Sequence, residues 1–159
     1  MLLLKNVLFT LIVPGTFGVY LPLVMTRAAS PRLGLALYVS LGLFALALAI
    51  YLWSTWNFAA RGRGTPLPLD APKRLVIQGP YRYIRNPMYL AVFSALLGWL
   101  LLYQITVLLL YAFIFAAVAT LFVMGYEEPH LARSFGAEYD QYRAKVPRWL
   151  PRLPRLPDA

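Results

Sequence analysis

The sequence predicts an all-α integral membrane protein with about four transmembrane helices and an amphipathic C-terminal helix, which we expect on the cytoplasmic side. Its 159 residues are 60% hydrophobic, and the mean hydropathy of +0.62 does not describe a water-soluble domain. The apolar residues fall into four runs, each near the length needed to cross a bilayer. We therefore treat residues 1–159 as a single membrane domain.

Residues 1–59 are expected to form two transmembrane helices. The first apolar run, residues 2–25, is too long for the core of a signal peptide, so we interpret it as a retained helix. Pro14 and Gly15 are expected to kink it. The second run, residues 33–56, ends with Trp53 and Trp56, whose rings favour the head-group level of a membrane.

Residues 60–86 are expected to form a cytoplasmic loop, and residues 87–124 a helical hairpin. The loop combines Gly, Pro and charged residues, a composition typical of connecting segments. Asn86 suits the N-cap of the third helix, and Pro87 suits its first position. Gln104 alone is predicted to make the turn between the third and fourth helices.

Residues 125–159 are expected to form a cytoplasmic C-terminal cap and tail. Leu131, Phe135, Tyr139 and Tyr142 recur at helical spacing, which predicts one amphipathic helix that lies on the membrane or covers the loop. Prolines at 147, 151, 154 and 157 predict an extended, non-helical tail.

The basic residues indicate an orientation. Of the 15 Lys and Arg residues, only Arg27 and Arg32 fall on one side of a four-helix arrangement, and the other thirteen fall on the opposite side. This asymmetry predicts that both termini and the central loop face the cytoplasm. We attribute the net charge of +9 to this topology and to contact with anionic membrane lipids, rather than to nucleic acid.

Composition excludes several kinds of site. The chain has no Cys, which excludes disulfides and thiolate catalysis. Its single histidine, His130, excludes a histidine-rich metal centre, and no metal ion is expected. There is no glycine-rich strand-to-helix turn of the kind that binds dinucleotides in soluble domains.

Two polar segments are expected to meet at the cytoplasmic end of the hairpin. The first, residues 79–89, contains Arg85 and several tyrosines, and the second begins at Glu127 and Glu128. Carboxylates suit an ammonium group, a guanidinium and a helix N-terminus suit an anion, and tyrosine rings suit a sulfonium. Those are the charged groups of S-adenosylmethionine.

The same segments resemble a known family. The string Gly-Pro-Tyr-Arg-Tyr-Ile-Arg-Asn-Pro-Met-Tyr at residues 79–89 is followed by the glutamate pair, Phe-Gly at 135–136 and Val-Pro-Arg at 146–148. This combination resembles the isoprenylcysteine carboxyl methyltransferase and phospholipid methyltransferase family of integral membrane enzymes. The resemblance covers about residues 62–151. It implies S-adenosylmethionine as cofactor, bound between the start of the third helix and the segment after the fourth.

The resemblance also assigns individual residues. Residues 85–89 match the family's Arg-His-Pro-x-Tyr element, with Asn86 in place of the histidine, and the glutamate pair matches the family's paired glutamates. An Asn amide forms hydrogen bonds but does not titrate. The candidate catalytic residues are Arg85 and Glu128. The candidate cofactor-binding residues are Tyr81, Arg85, Asn86, Pro87, Tyr89, Glu127, Glu128, Tyr139 and Tyr142.

The predicted reaction is methyl transfer to a carboxyl or amine group of a lipophilic small molecule or lipid. We expect this acceptor to enter from the bilayer beside Met88, Tyr89 and Val92. Two alternatives stay open: a membrane reductase of the sterol reductase type with a nicotinamide cofactor, and a non-enzymatic membrane scaffold. The acceptor's identity, the methylated atom (oxygen, nitrogen or sulfur) and the oligomeric state also stay open.

Overall fold

The computed structural model describes residues 2–62 and 74–152, and every regular element in those ranges is helical. Short π-helical turns cover Thr16–Tyr20, Phe58–Gly62 and Val123–Glu127, and a 3₁₀ turn covers Gly79–Arg82. The predicted all-α class is confirmed, whereas residues 63–73 of the predicted loop and residues 153–159 of the predicted tail lie outside the described residues. The α-helices are α1 (Leu2–Ile12), α2 (Leu21–Met25), α3 (Leu35–Asn57), α4 (Pro87–Tyr103), α5 (Thr106–Phe122), α6 (Glu128–Phe135) and α7 (Ala137–Lys145).

Within the described residues, three helical stretches are long and apolar enough to cross a membrane: Asn6–Met25, Leu35–Ala60 and Thr106–Phe135. One further apolar helix, α4, lies between the second and third of these stretches and has 17 residues. This corresponds to about 25 Å at 1.5 Å per residue. That length is at the lower limit for a membrane span. The predicted helical membrane architecture is therefore present, with α4 as its shortest member.

The first membrane helix, Asn6–Met25, is hydrogen-bonded to α4 and α5 through backbone carbonyls that lack a helical donor because of Pro22. Pro22 has no backbone N–H, so carbonyls about one turn before it lack their usual helical donor. The Trp99 indole donates to the Gly18 carbonyl at 3.0 Å, and the Tyr111 hydroxyl donates to the Phe17 carbonyl at 2.7 Å. The π turn that contains these carbonyls lies close to the kink predicted near residue 14.

Helix α4 packs closely along α3. A Cβ atom on Gly98 would lie only 2.7 Å from the ring of Phe44, so the helices approach at this point because Gly98 has no side chain. The turn predicted at Gln104 is present, but it also includes Ile105, because α4 ends at Tyr103 and α5 begins at Thr106. Gln104 adopts a left-handed conformation, and its N–H donates to the Leu100 carbonyl at 2.8 Å, which ends α4 and lets α5 return.

The chain does not leave the helix near residue 125, contrary to the expectation from sequence. Thr106–Phe135 is one continuous stretch of 30 residues, in which a π turn joins α5 to α6. Pro129 cannot donate a backbone hydrogen bond, and in the π turn the Glu128 N–H donates to the carbonyl of Val123, five residues back. Glu127 and Glu128 therefore project from a helix and not from a loop.

The single amphipathic helix predicted through residues 131–142 is instead two helices. Gly136 has φ 52° and ψ −128°, a conformation that is strained for any residue with a Cβ, and it separates α6 from α7. Helix α7 packs inward, with Tyr139 only 1% exposed. The residues after α7, which we call the C-terminal segment (residues 146–152), are non-helical, as the prolines predict.

Replacing Gly79 with Ala is expected to destabilise the protein more than replacing Gly34 with Ala. Both glycines have positive φ, +61° and +82°, which costs a residue with a Cβ about 1–3 kcal/mol. A Cβ on Gly79 would also lie 2.5 Å from the side chain of Asn57, whereas no described atom lies within 4 Å of a Cβ on Gly34. Thermal unfolding of both variants measures the difference, and equal losses would contradict the close Gly79–Asn57 contact.

Candidate active site

Three parts of the chain converge at one end of the bundle. They are the stretch from the 3₁₀ turn to the start of α4, the π turn with the start of α6, and α7 with the C-terminal segment. All of the candidate site residues predicted from sequence lie here: Tyr81, Arg85, Asn86, Pro87, Tyr89, Glu127, Glu128, Tyr139 and Tyr142.

Glu128 is held between two guanidinium groups. Arg85 Nη1 lies 2.9 Å from Glu128 Oε1, and Arg148 contacts both carboxylate oxygens, with Nε at 2.6 Å and Nη2 at 2.8 Å. The Arg85 and Glu128 side chains are only 11% and 12% exposed, and that of Arg148 is 30% exposed. This two-point contact with Arg148 fixes the plane of the carboxylate as well as its position. The hydrogen bond from Arg148 to Glu128 raises the pKa of Arg148, which keeps it protonated.

Glu127 has a different environment. Its Oε1 accepts a hydrogen bond from the Tyr89 hydroxyl at 2.8 Å. Because a phenol is neutral, this contact orients the Glu127 carboxyl group and places no formal charge against it. The two adjacent glutamates are therefore electrically distinct, since one faces two cations and the other faces a phenol.

The C-terminal segment is bound across the start of α4 by main-chain contacts. The Arg85 N–H donates to the Pro147 carbonyl at 2.9 Å, and the Arg152 N–H donates to the Tyr83 carbonyl at 3.0 Å. Between them, the Asn86 side-chain amide donates to the Arg148 carbonyl at 3.2 Å. Asn86 is at the N-cap position as predicted, but its side chain makes no capping bond to α4. It binds the C-terminal segment instead.

The buried tyrosines join α7 to the other two parts. Arg85 Nη1 donates to the Tyr139 hydroxyl at 3.4 Å, and the Tyr142 hydroxyl donates to the Tyr81 carbonyl at 2.8 Å. Burial raises the pKa of Tyr139 and of Tyr142, so both stay neutral phenols near neutral pH. Tyr81 is itself buried and packs against the ring of Phe58, with 6.2 Å between the ring centroids.

Two residues of this arrangement were not among the candidate site residues. Arg148 contacts Glu128 through two donors. The sequence contained a signal for this residue, because the Val-Pro-Arg string is part of the pattern that carries the family resemblance. Trp149 packs edge-on against Tyr89 and Phe93. Its role depends on how the C-terminal segment folds back, which local sequence does not indicate.

The Arg85 guanidinium has a buried donor that no described residue accepts. Its Nε atom is buried and has no hydrogen-bond partner within residues 2–62 and 74–152. A buried guanidinium N–H without an acceptor is unfavourable, and such groups recognise carboxylate or phosphate oxygens. The site therefore offers the carboxyl group of Glu127 and a buried donor suited to an anion.

The acceptor entrance beside Met88, Tyr89 and Val92 stays a prediction, in which Val92 is covered while Met88 and Tyr89 are half-buried. Val92 is 9% exposed, and a Cβ on Gly18 of the first membrane helix would lie 3.8 Å from it, so that side of α4 is covered. The other side, which carries Tyr89 and Phe93, faces α5 and the C-terminal segment.

A family model described as phospholipid methyltransferase matches residues 35–138. The match covers more than half of the chain and includes residues 79–89 and both glutamates. The chain therefore belongs to the phospholipid methyltransferase family, and the predicted resemblance is confirmed.

Curated relatives agree with this assignment. The chain is 36% identical over 86 residues to protein-S-isoprenylcysteine O-methyltransferase of Schizosaccharomyces pombe, covering 50% of this chain and 34% of that protein. It is 32% identical over 91 residues to methanethiol S-methyltransferase of Crocosphaera subtropica, covering 55% and 31% respectively. An uncharacterised protein of Haemophilus influenzae is 40% identical over 63 residues, which are 40% of this chain and all of that protein.

These alignments have a limited extent. The matched region spans about one third of the length of each of the two named enzymes. No solved structure matches the chain.

Proposed function

We propose that the chain is an S-adenosylmethionine-dependent methyltransferase that modifies a lipophilic acceptor at the membrane interface. The observation that carries this proposal is the convergence of Arg85, Glu127 and Glu128 at one end of a helical bundle. Membership of a methyltransferase family supports it. The two named relatives are an O-methyltransferase and an S-methyltransferase, so the acceptor atom can be sulfur as well as the oxygen or nitrogen expected from the sequence.

The described residues fit the charges of the proposed methyl donor. Glu127, whose partner is a neutral phenol, has a charge available for the ammonium group,. The buried Arg85 Nε–H is suited to the carboxylate,. When bound, the donor would supply an activated methyl group. Glu128, which is shared by Arg85 and Arg148, would fix the position of Arg85.

The chain's own contribution is positioning and the exclusion of water. The C-terminal segment crosses the start of α4 through three hydrogen bonds that involve Arg85, Asn86 and Tyr83, and it limits the access of water from that side. Fixed orientation and a water-poor site both favour a transfer between aligned groups. Arg85 would orient a carboxylate acceptor by the same guanidinium chemistry, which is the catalytic role proposed for it.

Mass spectrometry tests this function. Purified protein is incubated with a membrane lipid extract, or with short thiols and carboxylic acids, and with a donor whose methyl group is deuterated. We expect labelled product that depends on the protein. Absence of product together with absence of S-adenosylhomocysteine binding would contradict the proposal.

We also propose that the site faces the cytoplasm, on the basis of the positive charge on that side,. Single cysteines in place of Ser134 and Ser30, both exposed, test it without interference because the native chain has no Cys. A membrane-impermeant thiol reagent should label position 134 from the cytoplasmic face and position 30 from the opposite face. The reverse result, or labelling of both from one face, would contradict the orientation.

A further inference from the structure

Trp149 lies between the apolar part of the bundle and the charged cluster, by which we mean Arg85, Glu127, Glu128 and Arg148. Its ring packs edge-on against Tyr89, with centroids 6.1 Å apart, and against Phe93, with centroids 5.9 Å apart. The hydroxyl of the same Tyr89 binds Glu127. One tyrosine therefore touches both the carboxylate proposed to hold the donor and the indole.

From Trp149 a continuous row of aromatic rings leads to the outer surface. Phe93 packs against Phe115 at 5.5 Å, and Phe115 packs against Phe17 at 5.7 Å. Phe17 is 39% exposed on the outside of the bundle, a surface that faces lipid in a membrane protein. We call Phe17, Phe115, Phe93, Tyr89 and Trp149 the aromatic row. It links the lipid-facing surface to the charged cluster.

The indole is fixed by its neighbours in the chain. Arg148, directly before it, is bound to Glu128 through its side chain and to Asn86 through its carbonyl. Arg152, three residues after it, is bound to Tyr83. Leu150, the next residue, is 79% exposed, so the segment directs the Trp149 ring inward and the Leu150 side chain outward.

We propose that Trp149 sets the size of the acceptor, an inference that rests on the proposed function. An acceptor with a short apolar group reaches Tyr89 along the aromatic row, which offers van der Waals contact and favourable sulfur–aromatic contact. A long alkyl chain would have to displace an indole already packed on two rings, which is unfavourable in a filled apolar space. The substrate class is therefore a short apolar nucleophile, and Trp149 is the residue that determines this specificity.

Photolabelling tests the proposal without any need for turnover. Two alkyl diazirines, one with a butyl chain and one with a hexadecyl chain, are incubated with the protein and activated, and labelling of Tyr89 and Phe93 is quantified by peptide mapping. In the native protein the butyl probe should label both residues and the hexadecyl probe should label them weakly. In Trp149→Ala, hexadecyl labelling of Tyr89 and Phe93 should rise by about tenfold.

Leu150→Ala is the matched control, because it shortens the neighbouring exposed side chain and should leave the labelling ratio unchanged. Trp149→Phe keeps a ring and should give an intermediate ratio, which guards against unfolding of the Ala variant. Equal hexadecyl labelling in native protein and in both Trp149 variants would overturn the inference. Titration of the native protein with S-adenosylhomocysteine distinguishes a failure of the proposed function from a failure of the role of Trp149. Absence of binding contradicts the proposed function, whereas an unchanged labelling ratio contradicts only the role of Trp149.

Discussion

Replacing Glu128 with Gln is expected to weaken S-adenosylhomocysteine binding and to release the C-terminal segment from the start of α4. The Glu128 carboxylate accepts bonds from Arg85 and from both Nε and Nη2 of Arg148. A hydrogen bond to a charged group contributes about 1.5–3 kcal/mol, so the net loss of one such bond corresponds to a roughly tenfold to hundredfold fall in affinity. Calorimetric titration measures the affinity, and amide hydrogen exchange at residues 146–152 measures the release.

Asp140→Asn provides the matched control for this variant. Asp140 also pairs with an arginine, Arg143, at 3.0 Å, but the two side chains are 56% and 52% exposed. Exposed pairs contribute little to stability, so this variant should bind S-adenosylhomocysteine normally and keep its exchange pattern. If Glu128→Gln matched Asp140→Asn in both measurements, Glu128 would have no organising role.

Replacing Glu127 with Gln is expected to weaken S-adenosylhomocysteine binding by about tenfold while the C-terminal segment stays in place. The Gln carbonyl can still accept the Tyr89 hydroxyl bond, but it carries no charge to balance an ammonium group. Both glutamate variants are thus expected to bind S-adenosylhomocysteine more weakly, but only Glu128→Gln is expected to release the C-terminal segment. Calorimetry on both variants decides the matter, and unchanged affinity in both would remove the glutamate pair from the proposed site.

The sequence predicts the helical class and the main contacts of the site because they depend on local patterns. Apolar runs define the membrane helices, and a two-residue turn at Gln104 and Ile105 brings the two ends of the hairpin together. Because α4 and α5 form a hairpin, Tyr89 at the start of α4 is expected to lie beside Glu127 after α5, and the two side chains are hydrogen-bonded. The positions of Arg85 and Glu128 follow from the same geometry.

The errors concern features that local patterns do not encode. The predicted hairpin ends at residue 124, but a π turn rearranges the hydrogen bonds and the helix continues to Phe135. A single glycine, Gly136, divides the predicted amphipathic helix. Local patterns likewise do not encode that the first membrane helix covers the side of α4 that carries Val92, a contact between residues far apart in sequence.

The position of the C-terminal segment could not be predicted from the sequence. Its prolines predict an extended chain but not where that chain lies. Its position depends on bonds to Arg85, Asn86 and Tyr83 and on the ion pair between Arg148 and Glu128. Those contacts join residues more than sixty positions apart, with the exception of the ion pair, whose partners are twenty apart.

Titration of the purified protein with S-adenosylhomocysteine and, separately, with NADPH tests the proposed function most directly. The proposed site predicts saturable binding of S-adenosylhomocysteine, weakened in Glu127→Gln and Glu128→Gln, and no specific binding of NADPH. Binding of NADPH without S-adenosylhomocysteine would favour the reductase alternative. Binding of neither would favour a non-enzymatic membrane scaffold, and either result would contradict the methyltransferase proposal.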